Sequence, residues 1–334
     1  MQSLVLKMFF IQNLLREKLV SLNSYIDIAV GVLQKETKVC LALRQKHQSH
    51  ANHWEFPGGK IEQGETPVQA LKREFLEELA VETDHWKPLI VIPWDYEKVS
   101  VRLHVYITAE YKNEPIGNEG QQVKWFEITD LQQLTFPAAN KGILMALQLS
   151  DKYMISGNFS GVDDALQRFS SALESGIELC QLRAKDLESN EFSEIAEAAI
   201  SLCHQNKAKV LLNGTIDLLT DFPEADGVQL ASNFIYEYAT RPIPKNKLLG
   251  VSTHTDEDIQ QALKIDADFI LLSPVKETSS HPGVPGLGWD TFAQKVQSIT
   301  VPVYALGGMK LEDVEVAKSY GGQGVAAISG FWPD

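Results

Sequence analysis

Cysteine is scarce in this chain. Three cysteines in 334 residues, Cys40, Cys180 and Cys203, stand far apart and form no metal-binding or redox spacing. A disulfide-stapled secreted fold is thereby excluded, and a reducing cytoplasm is the expected setting. Basic residues are also few: 30 Lys and Arg face 44 Asp and Glu, for a net charge of −14. That balance excludes a long nucleic-acid surface, which needs a basic stripe. It does not exclude a single nucleotide carried with a cation. No apolar run reaches the roughly 20 residues of a membrane span. The apolar stretch Leu4–Leu15 is short, is interrupted by Lys7 and is followed by Arg16, Glu17 and Lys18 without a small-residue cleavage site. Residues 1–25 therefore read as a non-catalytic helical extension, or as residue from an upstream start codon, with no membrane partner. Low-complexity segments are missing too.

What remains is ordinary globular material, 44% hydrophobic and 22% charged, in a length that suggests about two domains. Residues 26–150 alternate short β-rich runs with one pronounced helix. Ile28–Leu33 and Lys38–Arg44 predict a hairpin. Leu89–Trp94, Arg102–Ala109 and Val123–Glu127 predict further strands, and Ile143–Leu149 a closing helix. From residue 151 to 334 strands and helices alternate regularly. Tyr153–Ser156, Leu179–Arg183, Lys209–Asn213, Gly227–Leu230, Leu248–Ser252, Phe269–Leu272, Val303–Leu306 and Gly324–Ile328 predict a (β/α)8 barrel.

The richest stretch is Gly59–Val81, GKIEQGETPVQALKREFLEELAV. Helical periodicity puts Val68, Leu71, Phe75 and Leu79 on one side and Glu74, Glu77 and Glu78 on the other. Three carboxylates crowded together repel one another unless a cation sits between them. Oxygen-only ligands favour a hard ion such as Mg²⁺, which prefers carboxylates plus substrate phosphates.

This stretch resembles the Nudix box, G-x5-E-x7-R-E-U-x-E-E-x-G-U with U a bulky apolar residue. It reads Gly59, Glu65, Arg73, Glu74, Phe75, Glu77, Glu78, Ala80 and Val81. Ala80 replaces the glycine that usually closes the helix, so a less sharp helix end is expected. The resemblance implies an αβα sandwich and hydrolysis of a nucleoside diphosphate linked to another group. It implies metal contacts from Glu74, Glu77, Glu78, Glu119 and the Gly58 carbonyl, with Glu74 as the leading base and Glu119 as the alternative base. Mg²⁺ is the implied cofactor and Mn²⁺ its alternative. Gly59, Glu65 and Arg73 take structural roles, the last two as an ion pair.

Beyond the box, IAVGVL, LRQKHQSHANHWEFPGGKIEQGETP, NEGQQVKWF and FPAAN resemble the MutT-type 8-oxo-dGTP diphosphatases. That likeness implies phosphate contact by Arg44, a nucleotide pocket lined by Glu55, Phe56, Pro57 and Gly58, and purine reading by Asn140. An amide offers one donor and one acceptor, which suits an oxidised guanine whose N7 has become a donor. Structural alternatives stay open for four of these residues: a surface salt bridge for Arg44, plain core for Phe56, a helix N-cap for Asn140 and a solvated loop charge for Glu119. Where the family often carries a loop histidine, Ser49 aligns, with His47, His50 and His53 nearby.

The second half resembles the thiamine-phosphate synthase and TenI family through CQLRAKD, LLNGTIDL, ADGVQLAS, LLGVSTHT, ILLSPVKET, ALGGM and VAAISGF. Ligand contacts are implied at Arg183, Lys185 and Asn213, and a phosphate cradle at Gly307, Gly308, Ser329 and Gly330. Gly214 and Phe234 stand where the synthase has metal-holding Asp residues, and Pro274 where the TenI tautomerase has a His. Three readings stay open for the barrel: binding of a phosphorylated, thiamine-related ligand, a structural remnant, and a working synthase that would make the protein bifunctional. Hydrolysis of a nucleotide other than 8-oxo-dGTP, and barrel control of the hydrolase, are the alternatives for the whole chain.

Overall fold

A computed structural model describes residues 25–46, 50–184, 187–278, 283 and 285–333. The extension before residue 25, His47, Ser49 and Lys185 lie outside these residues. In the N-terminal half, β1 (Ile26–Lys35), β2 (Lys38–Leu43), β3 (Trp54–Glu55), β4 (Gly58–Lys60), α1 (Pro67–Leu79), β5 (Glu82–Asp84), β6 (Lys87–Asp95), β7 (Ser100–Thr108), β8 (Glu110–Lys112), β9 (Gln122–Glu127) and α2 (Lys141–Ala146) follow in order. Their main sheet runs β3-β2-β1-β7-β6, with β4 added to β1 and β9 to β2. β1 and β7 are parallel, whereas β1 and β2 form an antiparallel hairpin.

Strand alternation divides the core in two. Val30 and Val32 of β1 face a cluster with Ile92, Leu103 and Ile143. Ala29 and Leu33 face a second one with Leu71, Phe75 and Leu79 of α1. Gly31 lets that helix approach, since a Cβ there would stand 2.3 Å from the Phe75 ring. Thr66 starts the helix with a capping box: its side chain accepts from the Gln69 amide, and the Gln69 side chain accepts from the Thr66 amide. Pro67 suits the first turn, where its missing N–H has no intrahelical partner.

The helix ends sharply, against expectation. Ala80 takes a left-handed conformation with φ 56°. Its N–H donates to the Leu76 carbonyl, the single bond of the αL cap motif, and that of Val81 donates to the Phe75 carbonyl. Burial of Val81 and the two hydrogen bonds hold alanine where glycine would be unstrained.

Among the described residues, eight parallel strands close the barrel: β10 (Lys152–Ile155), β11 (Leu179–Leu182), β12 (Lys209–Asn213), β13 (Gly227–Leu230), β14 (Leu248–Thr253), β15 (Phe269–Leu272), β16 (Val303–Leu306) and β17 (Gly324–Ala327). Helices α3 (Val162–Glu174), α4 (Ser189–Gln205), α5 (Leu218–Asp221), α6 (Asp256–Lys264), α7 (Gly288–Val296) and α8 (Asp313–Ser319) lie between them. Strand residues alternate between an inner cluster with Tyr153, Phe269 and Tyr304 and an outer one under the helices. No helix of the described residues is long and apolar enough to cross a membrane.

Candidate active site and barrel mouth

The acidic face of α1 is fastened from both ends. Arg73 grips Glu65 through Nε and Nη2, each 2.9 Å from a carboxylate oxygen. The Arg73 bonds and the Glu62 amide hold the Glu65 carboxyl down at about 2. The same guanidinium donates to Glu74 Oε1 at 2.6 Å and stands 3.5 Å from Glu77 Oε2. Glu74 lies against Gly59, where a Cβ would come within 2.1 Å of its carboxylate. At the C-terminal end, a loop supplies donors to carbonyls the helix leaves unpaired. The Asn118 side chain donates to Glu77 O at 2.8 Å and the Gln121 side chain to Glu78 O at 3.0 Å. Those bonds bring Glu119, between them in sequence, to the acidic face.

Glu78 is the electrostatic centre. Its carboxyl is pushed up to about 8, first by burial, then by the charges of Glu74, Glu119 and Glu55, with partial relief from the Gly58 amide. Four carboxylates thus share one field. Burial also raises Glu55 above the ordinary range, and the adjoining Arg44, to which it is ion-paired, opposes that shift. Glu77 is 60% exposed at its side chain.

Beside this face, Phe56 is buried and stacks on Phe136 with centroids 5.9 Å apart. Pro57 is buried and accepts from the Gly31 amide. Trp54 N–H donates to Thr135 O, tying β3 to the segment that carries Phe136 and Asn140. Asn140 is 8% exposed and precedes α2, but its side chain makes no cap bond.

The barrel mouth is a cavity of about 440 Å³ at the C-terminal ends of the strands, lined by Arg183, Asn213, His254, Gly307, Gly308 and Ser329, among others. Gly307 (φ 100°) and Gly308 (φ 65°) are left-handed. A Cβ on Gly308 would stand 2.6 Å from Glu277 O, so the backbone itself forms that wall. Gly330 is not among the lining residues; it packs on Met309 O.

A sequence profile for the Nudix domain matches residues 26–147, and one for thiamine monophosphate synthase matches residues 152–331. The first half is 34% identical to the 8-oxo-dGTP diphosphatase of Escherichia coli (strain K12), over 37% of this chain and 96% of that protein. The second is 34% identical to the putative thiamine-phosphate synthase 2 of Aquifex aeolicus (strain VF5), over 55% of this chain and 99% of that protein. The 8-oxo-dGTP diphosphatase of Haemophilus influenzae is 35% identical over 36% of this chain and 90% of its own length. The chain belongs to both families, as a Nudix domain fused to a thiamine monophosphate synthase family barrel.

Nudix hydrolases use a divalent metal, and the donor set fits one. It is all oxygen, partly buried, and carries more negative charge than its surroundings neutralise. Among the described residues no three acidic, His or Cys side chains already converge on one point. Arg73 instead holds Glu74 and stands beside Glu77. In the barrel, sequence reasoning missed His254. Its Nδ1 lies 3.0 Å from Ser273 O and 3.2 Å from Ser273 Oγ, at the mouth. A lone histidine in a strand-end loop carries no spacing signal; only barrel closure places it there.

Proposed function

We propose that the Nudix half hydrolyses 8-oxo-dGTP to 8-oxo-dGMP and pyrophosphate with Mg²⁺, removing an oxidised nucleotide in the cytoplasm before replication. The observation that carries this reading is the partly buried carboxylate cluster around Glu78, with its carboxyl raised to about 8. Such a field favours a cation, and a polyphosphate arrives with one. Glu74, Glu77, Glu78 and Glu119 would hold the metal from side chains and Gly58 from its carbonyl. When bound, the ion would screen phosphate charge and lower the pKa of a water. Glu74 takes the proton of the attacking water, with Arg73 fixing its carboxylate. Arg44 turns from Glu55 toward the phosphates. Gly59 gives Glu74 room, and Glu65 keeps Arg73 in place.

The base enters beside Phe56 and Phe136. The Asn140 amide, free of protein partners and largely buried, pairs with O6 and N7–H of the oxidised guanine. Normal guanine presents a lone pair at N7 and leaves the amide oxygen unpaired, which is costly in a buried site. Free, buried Cys40, Cys180 and Cys203 support the reducing setting.

For the barrel, the reading is a binding module for a phosphorylated, thiamine-related ligand rather than a synthase. The open mouth with Arg183, Asn213 and the Gly307–Gly308 backbone supports retention of a phosphate. Gly214 and Phe234 supply no carboxylate for a metal-bound pyrophosphate. The deciding experiment is a hydrolysis screen over oxidised and normal nucleoside triphosphates with Mg²⁺ and with Mn²⁺. A chain that turns over normal dGTP as fast as 8-oxo-dGTP, or neither, sinks the nucleotide assignment.

A further inference from the structure

Helix α2, which begins immediately after Asn140, belongs to two cores at once. Ile143 and Ala146 pack under the Nudix sheet. Met145, and Leu149 just beyond the helix, join the barrel's inner cluster with Tyr153, Phe269 and Tyr304. The barrel end involved is the one opposite the mouth. Its contacts come from Asp266, Thr300 and Gln323, which precede strands β15, β16 and β17, and from Lys209 at the start of β12.

Those contacts are specific. Gln323 is 3% exposed. Its Nε2 donates to Ala146 O at 3.0 Å and to Leu149 O at 2.9 Å, while its Oε1 has no partner. The last carbonyls of a helix have no acceptor role inside it, and burying them without a donor is costly; here the donor comes from the other half of the chain. Lys209 Nζ donates to Gln148 O at 3.1 Å, and the Tyr304 hydroxyl to Ser150 O. Lys141, the neighbour of Asn140, is ion-paired with Asp266. Gly142 lies so close to the barrel that a Cβ would stand 2.6 Å from Thr300 O. Asn140 itself makes no side-chain hydrogen bond that would fix it. Its position follows the helix it begins, and that helix is held by the Nudix core on one side and by the barrel on the other.

We infer that the barrel is a positioning scaffold for Asn140, with Gln323 as the positioning residue, so that base specificity in the Nudix half depends on a side chain from the barrel's closed end. The inference rests on the base-reading role proposed for Asn140. It is a property of this chain: the Escherichia coli relative is matched over 96% of its length by the first half alone.

The test uses the full chain carrying Gln323→Met, which keeps volume and removes both donors, and separately Lys141→Met at the surface. Both kcat and KM are measured for 8-oxo-dGTP and dGTP. Gln323→Met is expected to raise KM for 8-oxo-dGTP and to lower the ratio of kcat/KM values on the order of tenfold, with kcat nearly unchanged. Lys141→Met should act in the same direction and less. Ile195→Val, on the outer helix α4, serves as a control that loses stability without moving the ratio. Folded Gln323→Met and Lys141→Met proteins with wild-type KM and wild-type discrimination overturn the inference. If Gln323→Met does not fold, Lys141→Met decides alone. A wild-type chain without preference for the oxidised base sinks the substrate reading instead, and the KM of whichever triphosphate it hydrolyses then reports on the scaffold.

Discussion

The two halves of this molecule keep their folds equally well and their acidic chemistry unequally. The Nudix face gathers Glu55, Glu74, Glu78 and Glu119, and burial first, then the neighbouring charges, raise Glu78 to about 8. The barrel mouth, among its described lining residues, offers Arg183, His254 and the single carboxylate Glu277. Yet the barrel is closed, and its strands are buried inside and out. Packing residues and reacting residues are different sets on the same scaffold, so one can be retained while the other drifts. What separates the halves is charge: the Nudix face presents clustered carboxylates, and the barrel mouth presents Arg183 and the Gly307–Gly308 backbone.

The largest effect that could break this contrast lies on α1. Glu74→Gln and Glu78→Gln should each lower Mg²⁺-dependent pyrophosphate release by about 100-fold or more, with circular dichroism unchanged. Normal turnover in both would leave the acidic field without a chemical role. Asn140→Ala comes next: discrimination between 8-oxo-dGTP and dGTP should fall by roughly 100-fold, read as a ratio of kcat/KM values. A ratio left intact would move base reading elsewhere in the pocket.

The charge field also predicts a pH dependence. With metal removed by chelation, the folded chain holds a proton on Glu78 up to about pH 8, whereas the unfolded chain releases it near the ordinary 4.5. This contribution to stability is fully present below that ordinary value and is lost as pH rises through about 8. The melting temperature of the metal-free protein should fall across that window, and Glu78→Gln should flatten the fall. Mg²⁺ binding should release a proton and tighten as pH rises. On the barrel side, thiamine phosphate at about 100 times its Kd should raise the melting temperature by roughly 5–10 °C, and Arg183→Met should abolish the rise. No shift in the wild-type chain would make the mouth a remnant.

The parts of this molecule that local pattern can specify were readable. Alternation in β1 and the 3.6-residue period of α1 fix which face is buried, so the acidic face follows. Strand spacing in the second half suffices for a closed barrel. Side-chain partners were less legible, because each depends on residues distant in sequence. Arg44 pairs with Glu55 only because β2 and β3 are antiparallel neighbours. Glu119 reaches Glu78 only because Asn118 and Gln121 cap α1. Asn140 looks like an N-cap in sequence, yet its amide makes no cap bond. The docking of α2 on the closed end of the barrel has no local signature at all. It depends on Gln323, 177 residues from Ala146.

Ala80 gives the smallest effect and the sharpest reading of one position. The sequence suggests a frayed helix end; the chain instead forces alanine into the left-handed region, at φ 56°. For an L-residue that region costs roughly 1–2 kcal/mol, while glycine there costs only the extra freedom of the unfolded chain, roughly 0.4–1 kcal/mol. The first term exceeds the second, so Ala80→Gly should stabilise the protein by about 0.5–1 kcal/mol. Because the two cap bonds already hold the helix end that carries Glu77 and Glu78, hydrolysis should be unchanged. A gain in turnover, rather than in melting temperature alone, would mean that the strained cap displaces the acidic face and that its geometry is not yet optimal for the metal.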